Sequence, residues 1–185
     1  MDCSNRSSRQ KKWLLLVWLL ATQACALAAA APSDGASEAT VKAAFIYNFA
    51  KFVEWQPEAG TTPADVKICV AGVDAAFAST MAALEGKAVQ ARTVSVRREV
   101  KATDLDGCQV LVVGAGARPV AEAARGRSGL LTVSDIRGFA AAGGVIELFE
   151  EDGKMRFEIN PRAAQRAGLR ISSQLLKLAK VTPDQ

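Results

Sequence analysis

The sequence predicts a single-domain α/β protein: a mostly parallel sheet flanked by helices on both faces, with a C-terminal antiparallel hairpin. Three observations carry this expectation. Apolar runs that stop at glycine alternate with short helical patterns, the arrangement of parallel βα units. Residues 110–113, Val-Leu-Val-Val, show no polar alternation, as expected of a strand covered on both faces. Near the C-terminus two alternating segments flank Asp152-Gly153, a strong hairpin signal.

The start of the 185-residue chain reads as an export signal. Arg6, Arg9, Lys11 and Lys12 precede an uncharged apolar run over 13–21, and small residues follow, with an Ala-x-Ala site at Ala26-Leu27-Ala28. The strongly apolar core is too short for a membrane span of about 20 residues. The expected organisation is therefore a cleaved signal peptide over 1–28, a flexible leader over 29–36 and an α/β domain over 37–182. An uncleaved anchor and a lipoprotein using Cys25 are the alternatives.

Ser37-Glu38 can cap a helix whose apolar stripe is Val41, Ala44, Phe45, Phe49 and Phe52, interrupted by Asn48 and ending near Trp55, before Pro57. Asn48 is then hydrogen-bonded inside or marks a pocket wall. A strand over 66–72 stops at Gly72, and a helix over 75–84 leads to a turn at Glu85-Gly86. Residues 87–98 alternate as a second strand, and 108–113 form a third ending at Gly114. A short helix over 120–125 follows Pro119, and residues 130–133 are the fourth strand. In the hairpin, Ile146 and Leu148, and Phe157 and Ile159, take the buried face, leaving Glu147, Phe149, Arg156 and Glu158 on the other. Phe149 is then covered by a helix or exposed for a partner. Asn160-Pro161 opens a helix running to Gly168, and a last helix over 172–180 places Ile171, Leu175 and Leu178 on one side.

Composition excludes several chemistries. The chain has no histidine, which removes Ser-His-Asp and Cys-His catalysis and histidine-ligated zinc. Residues 1–28 hold four of the 23 basic and one of the 19 acidic residues, so the remainder has 19 and 18 and a formal charge of +1. That leaves no electrostatic footprint for nucleic acid. Outside the signal only Cys69 and Cys108 remain. In an oxidising compartment such a pair is expected as a disulfide, against the alternative of two buried thiols.

The remaining motifs read structurally. Gly114-Ala115-Gly116-Ala117-Arg118-Pro119 lacks the third glycine of a dinucleotide loop, and Pro119 has no N–H, so it reads as a strand-to-helix turn. Ser134-Asp135 ends a strand as a cap, and no paired carboxylates or activated lysine accompany it. Arg162, Arg166 and Arg170 form a solvated basic stripe or a partner patch. A small ligand would be expected at the strand ends, near Gly72, Gly114 and Ser134.

The segment Lys42-Ala43-Ala44-Phe45-Ile46-Tyr47-Asn48-Phe49-Ala50-Lys51-Phe52-Val53-Glu54-Trp55 resembles the opening helix of the YfiR-like family of bacterial periplasmic proteins. The resemblance continues at 68–70, 84–87 and 108–111, and is densest at 131–135, 138–139, 143–146, 156–160 and 167–176. It covers essentially the whole chain after the signal. It implies a non-catalytic regulator without cofactor that represses a membrane-bound diguanylate cyclase by contacting the periplasmic sensor domain, and so controls cyclic-di-GMP and biofilm formation. It also implies an outer-membrane lipoprotein that sequesters the repressor, and a homodimer. Cys69 and Cys108 match the family's structural disulfide. A second pair, found in some of the members linked to redox sensing, is absent here, since residues 140–160 contain no cysteine, so the resemblance carries over the structural crosslink alone. Some relatives accompany sensor kinases, so a periplasmic small-ligand sensing module that signals to such a membrane partner is the alternative function, and a serine–lysine hydrolase a more remote one. The expected partner surface is Phe149, Glu158 and Ile171, an exposed apolar side chain beside charge.

Overall fold

The computed structural model describes residues 37–55 and 65–182. The expected signal peptide (1–28) and leader (29–36) lie outside the described residues. Helix α1 (Glu38–Phe52) is capped by Ser37, whose Oγ accepts the Thr40 amide, with Glu38 in the first turn and Lys51 in the last complementing the helix dipole. Its buried face is Ala43, Ile46, Phe49 and Ala50. The expected stripe is therefore rotated: Ala44, Asn48 and Phe52 are exposed, and Asn48 lines no interior. The helix also ends at Phe52, short of Trp55. Residues Val53–Trp55 form strand β1, which pairs antiparallel with β9 (Leu169–Ile171) in the register Val53↔Ile171 and Trp55↔Leu169. A partner distant in sequence thus decides the conformation of these three residues.

The main sheet has eight strands. They are β2 (Asp65–Ala71), β3 (Ala88–Val89), β4 (Arg92–Arg97), β5 (Val110–Val113), β6 (Leu131–Ser134), β7 (Ile146–Glu151), β8 (Lys154–Ile159) and β10 (Lys180–Val181), in the order β10-β8-β7-β6-β5-β2-β4-β3. From β4 to β7 every neighbouring pair is parallel, while β3 and β8 run antiparallel to β4 and β7. The expected mostly parallel sheet with a C-terminal hairpin is observed. Asp152 and Gly153, at φ 52° and 68°, both occupy the left-handed region, as a type I′ turn requires. Residues 87–98 are not one strand: they fold as the β3–β4 hairpin, turning at Gln90 with φ 55°.

Helices α2 (Ala75–Ala82), α4 (Pro161–Arg166) and α5 (Ser173–Leu178) join α1 over one face. Beneath them Ile68, Val70, Val112, Val133, Ile146 and Ile159 are almost fully buried. Phe45, Phe49 and Phe157 stack at centroid distances of 5.0–6.0 Å, tying α1 to β8. Asp74, Asn160 and Ser172 cap α2, α4 and α5 through side-chain oxygens. The last helix stops at Leu178, which is 73% exposed and not on the buried side as expected; β10 follows it.

The opposite face is covered by less. Helix α3 (Arg118–Ala123) brings Val120 and Ala121 over Cys69, Ala71, Leu111 and Val113, and Val100, Leu105 and Phe139 complete this second core. The strand-to-helix turn before α3 is built on close backbone packing: a Cβ on Gly114 would collide with the Gly72 carbonyl. Cys69 and Cys108 are bonded, with Cα atoms 5.8 Å apart, and both are buried in this core. The bond closes a loop of sequence separation 39. On the chain-entropy model this restricts the unfolded state by about 4 kcal/mol.

Replacing both cysteines by serine is accordingly expected to lower unfolding free energy by about 2–4 kcal/mol in urea titrations, with the native far-UV spectrum retained. An unchanged midpoint would show that the bond does not constrain the chain.

Candidate functional site

The registers place six residues in one row across the second face: Ala71, Val113, Ser134, Glu147, Glu158 and Lys180. The row passes from apolar to hydroxyl to charged. Its first members lie under α3. Among the described residues no helix of the second core reaches over the hairpin half, and an open groove of about 540 Å³ remains. Its lining includes Asp135, Arg137, Glu147, Phe149, Glu158 and Lys180.

Glu147 marks the boundary between covered and open halves. It is 8% exposed, and its two carboxylate oxygens accept the amides of Gly138 at 3.0 Å and Ala140 at 3.1 Å. Two oriented N–H dipoles replace part of the water that a carboxylate loses on burial. The turn so held packs Phe139 against Gly144, where a Cβ would overlap the ring. Asn160 completes the clamp: its Nδ2 donates to the Ala140 carbonyl at 2.8 Å while its Oδ1 accepts the Ala163 amide as the cap of α4. The sequence puts Glu147 on the hairpin's polar face correctly, but its burial depends on the turn that folds over it.

Phe149 is half-buried, with the Lys180 ammonium 5.9 Å from its ring centroid. Glu158 is half-buried and accepts the Thr182 hydroxyl at 2.7 Å. These two expected site residues share the groove. Ile171 does not: it lies on β9 and packs against the core beneath α1. Arg166 and Arg170 are exposed on α4 and β9.

At the ends of the parallel strands, Gly72 and Gly114 are in backbone contact, and Ser134 Oγ donates to the Val113 carbonyl at 2.7 Å and accepts the Ile136 amide at 3.1 Å. The crevice beside Ser134 measures about 10 Å³, room for about one water molecule. Lys42 closes its rim. The ammonium lies 2.6 Å from Asp135 and 2.7 Å from Glu38. Burial alone would depress the Lys42 pKa; the hydrogen bonds and attraction of Asp135 and Glu38 outweigh it and hold the pKa above the ordinary lysine value. The ion pair thus favours the charged lysine at this end of the sheet.

Among the described residues, no group of three or more cysteine, aspartate or glutamate side chains is placed to hold a metal ion. No helix among them is long and apolar enough to cross a membrane.

Glu147→Leu removes both acceptors of the turn and is expected to cost about 2–3 kcal/mol in urea unfolding, with faster hydrogen exchange at the Gly138 and Ala140 amides. Glu147→Gln, which keeps one acceptor oxygen, should cost less. Equal stability of Glu147→Leu and the parent would mean that this carboxylate does not hold the turn.

A search of curated proteins gave no match. A family model described as YfiR/HmsC-like matches residues 39–180, which takes in every helix and nearly every strand described above. The chain belongs to the YfiR/HmsC-like family.

Proposed function

We propose that this protein is a non-catalytic regulator, exported to the periplasm with a cleaved signal peptide, that represses a membrane-bound diguanylate cyclase by binding its periplasmic sensor domain. Cyclic-di-GMP level and biofilm formation follow from that repression. Sequestration by an outer-membrane lipoprotein and a homodimeric state belong to the same reading. The observation that carries it is the family match over 39–180, and the form of the molecule is in keeping with it. The broad concavity is an open groove beside a half-buried aromatic and several carboxylates, a surface suited to a protein partner. The strand-end alternative near Gly72, Gly114 and Ser134 would need that crevice to open well beyond its present 10 Å³.

The interface we assign centres on Phe149 and Glu158, which lie on one face. Ile171, on the other side of the sheet, would be a separate contact. An aromatic truncation at the centre of an interface costs binding energy without removing a buried core residue. The double change Phe149→Ala with Glu158→Lys should therefore weaken capture of a purified periplasmic sensor domain by about tenfold or more, with an unshifted melting temperature. Unaltered affinity would remove this face from the interface.

A further inference from the structure

We infer that the groove receives an extended segment of the partner protein, which joins the sheet as an added strand along the open edge of β7. This rests on the groove being the partner surface. Strand β7 runs from Ile146 to Glu151, but β6 ends at Ser134 and pairs with Ile146 and Glu147 alone. From Leu148 to Glu151, β7 has β8 on one side and, among the described residues, no strand on the other. The groove lies against this stretch. Its lining takes Leu148, Phe149, Glu150 and Glu151 in succession, and Asp135 and Arg137 from the chain just past β6. Leu148 belongs to the first core, and Glu150, two residues on, shares its face. The groove on the other face therefore reaches these two residues through their backbone.

That backbone is set to pair. Along an antiparallel hairpin, residues alternate between bonding the sister strand and pointing N–H and C=O away from it. Asp152-Gly153 is a two-residue turn, so Glu151 and Lys154 bond across the hairpin, as do Phe149 with Arg156 and Glu147 with Glu158. Bonds outside the ladder fix the same phase. The Val145 carbonyl accepts the Asn160 amide at 2.9 Å, and the Ile159 carbonyl, in the alternate set, turns outward to accept the Thr182 amide at 2.9 Å. Glu150 belongs to the alternate set. Its N–H and C=O point away from β8, and neither has a hydrogen bond among the described residues. A free donor and acceptor at strand spacing, beside the half-buried Phe149, are what an incoming strand needs: ladder bonds hold it and alternate side chains select it. Pairing of this edge with itself in a two-fold dimer would set Glu150 opposite Glu150 and bring the Glu151 and Asp152 side chains of both copies near, and like charges opposite one another destabilise a ladder. The acids that end β7 thus oppose a symmetric second copy and leave the edge to a different chain.

The test is amide hydrogen exchange, read by NMR, of the purified protein alone and with a purified periplasmic sensor domain. Alone, the Glu150 amide should exchange about tenfold or more faster than those of Phe149 and Glu151, and binding should slow it by a similar factor. Glu150→Pro removes the outward N–H and no bond to β8. It should weaken capture of the sensor domain about tenfold, while Glu150→Ala, which keeps the amide, stays within about twofold of the parent. Should Glu150→Pro lower the melting temperature, the exchange of the unaltered protein decides alone. Equal exchange of the three amides in the free protein, a Glu150 amide that binding leaves unslowed, or equal capture by the proline and alanine variants at an unshifted melting temperature would each overturn strand addition. Capture still weakened by Phe149→Ala would then leave the surface standing without the added strand. Indifference to Phe149→Ala as well, or no capture by the parent, would overturn both readings. Slowing of the Glu150 amide as the protein alone is concentrated would give the edge to a second copy and overturn its assignment to the partner.

Discussion

A parallel sheet must be buried on both faces, because its crossover connections leave apolar side chains on each. In this protein the two faces are covered unequally. Helices α1, α2, α4 and α5 roof one face from β2 to β8. On the other, α3 and the disulfide-tied segment before β5 cover β2 and β5, with Phe139 and Leu130 beside them. The row from Ala71 to Lys180 follows this cover outward, and side-chain polarity rises where it ends. The groove is the consequence of a roof that stops halfway.

Such an edge needs a device to finish it, since an open end of the second core would admit water beside Val113 and Phe139. Glu147 is that device. A carboxylate inside a sheet is costly unless its oxygens find donors, and the turn of residues 136–143 supplies two amides. Asn160 binds the same turn to the start of α4, so the second core, the hairpin and the first-face helices meet at one polar cluster. Several of the segments through which the sequence resembles its family, 131–135, 138–139, 143–146 and 156–160, converge here. They build the groove wall.

Much of this was legible in the sequence, and the reasons are local. The hairpin turn follows from Asp152-Gly153, and period-two alternation places Glu147, Phe149, Arg156 and Glu158 on one face. The unbroken Val110–Val113 run matches a strand buried throughout. What escaped depends on long-range partners. Helix α1 is rich in alanine and phenylalanine on two sides, so two apolar stripes compete and only the sheet decides between them. Strands β1, β9 and β10 are two or three residues long and exist because a neighbour lies beside them. The β3–β4 turn uses Gln90 where glycine or asparagine would have announced it. The groove left no signal of its own, because among the described residues it results from where helices fail to reach.

Family membership and this geometry lead to one central claim: recognition occurs on the open half-face of the sheet, at Phe149, away from the helical roof. Hydroxyl-radical footprinting of the protein alone and bound to a sensor domain tests it directly, with two half-exposed phenylalanines as reporters. Phe149 lies in the groove, and Phe52 lies at the end of α1 and is 37% exposed. The account predicts that binding protects Phe149 and leaves Phe52 as reactive as before. Protection of Phe52 with an unchanged Phe149 would place the partner elsewhere and contradict it.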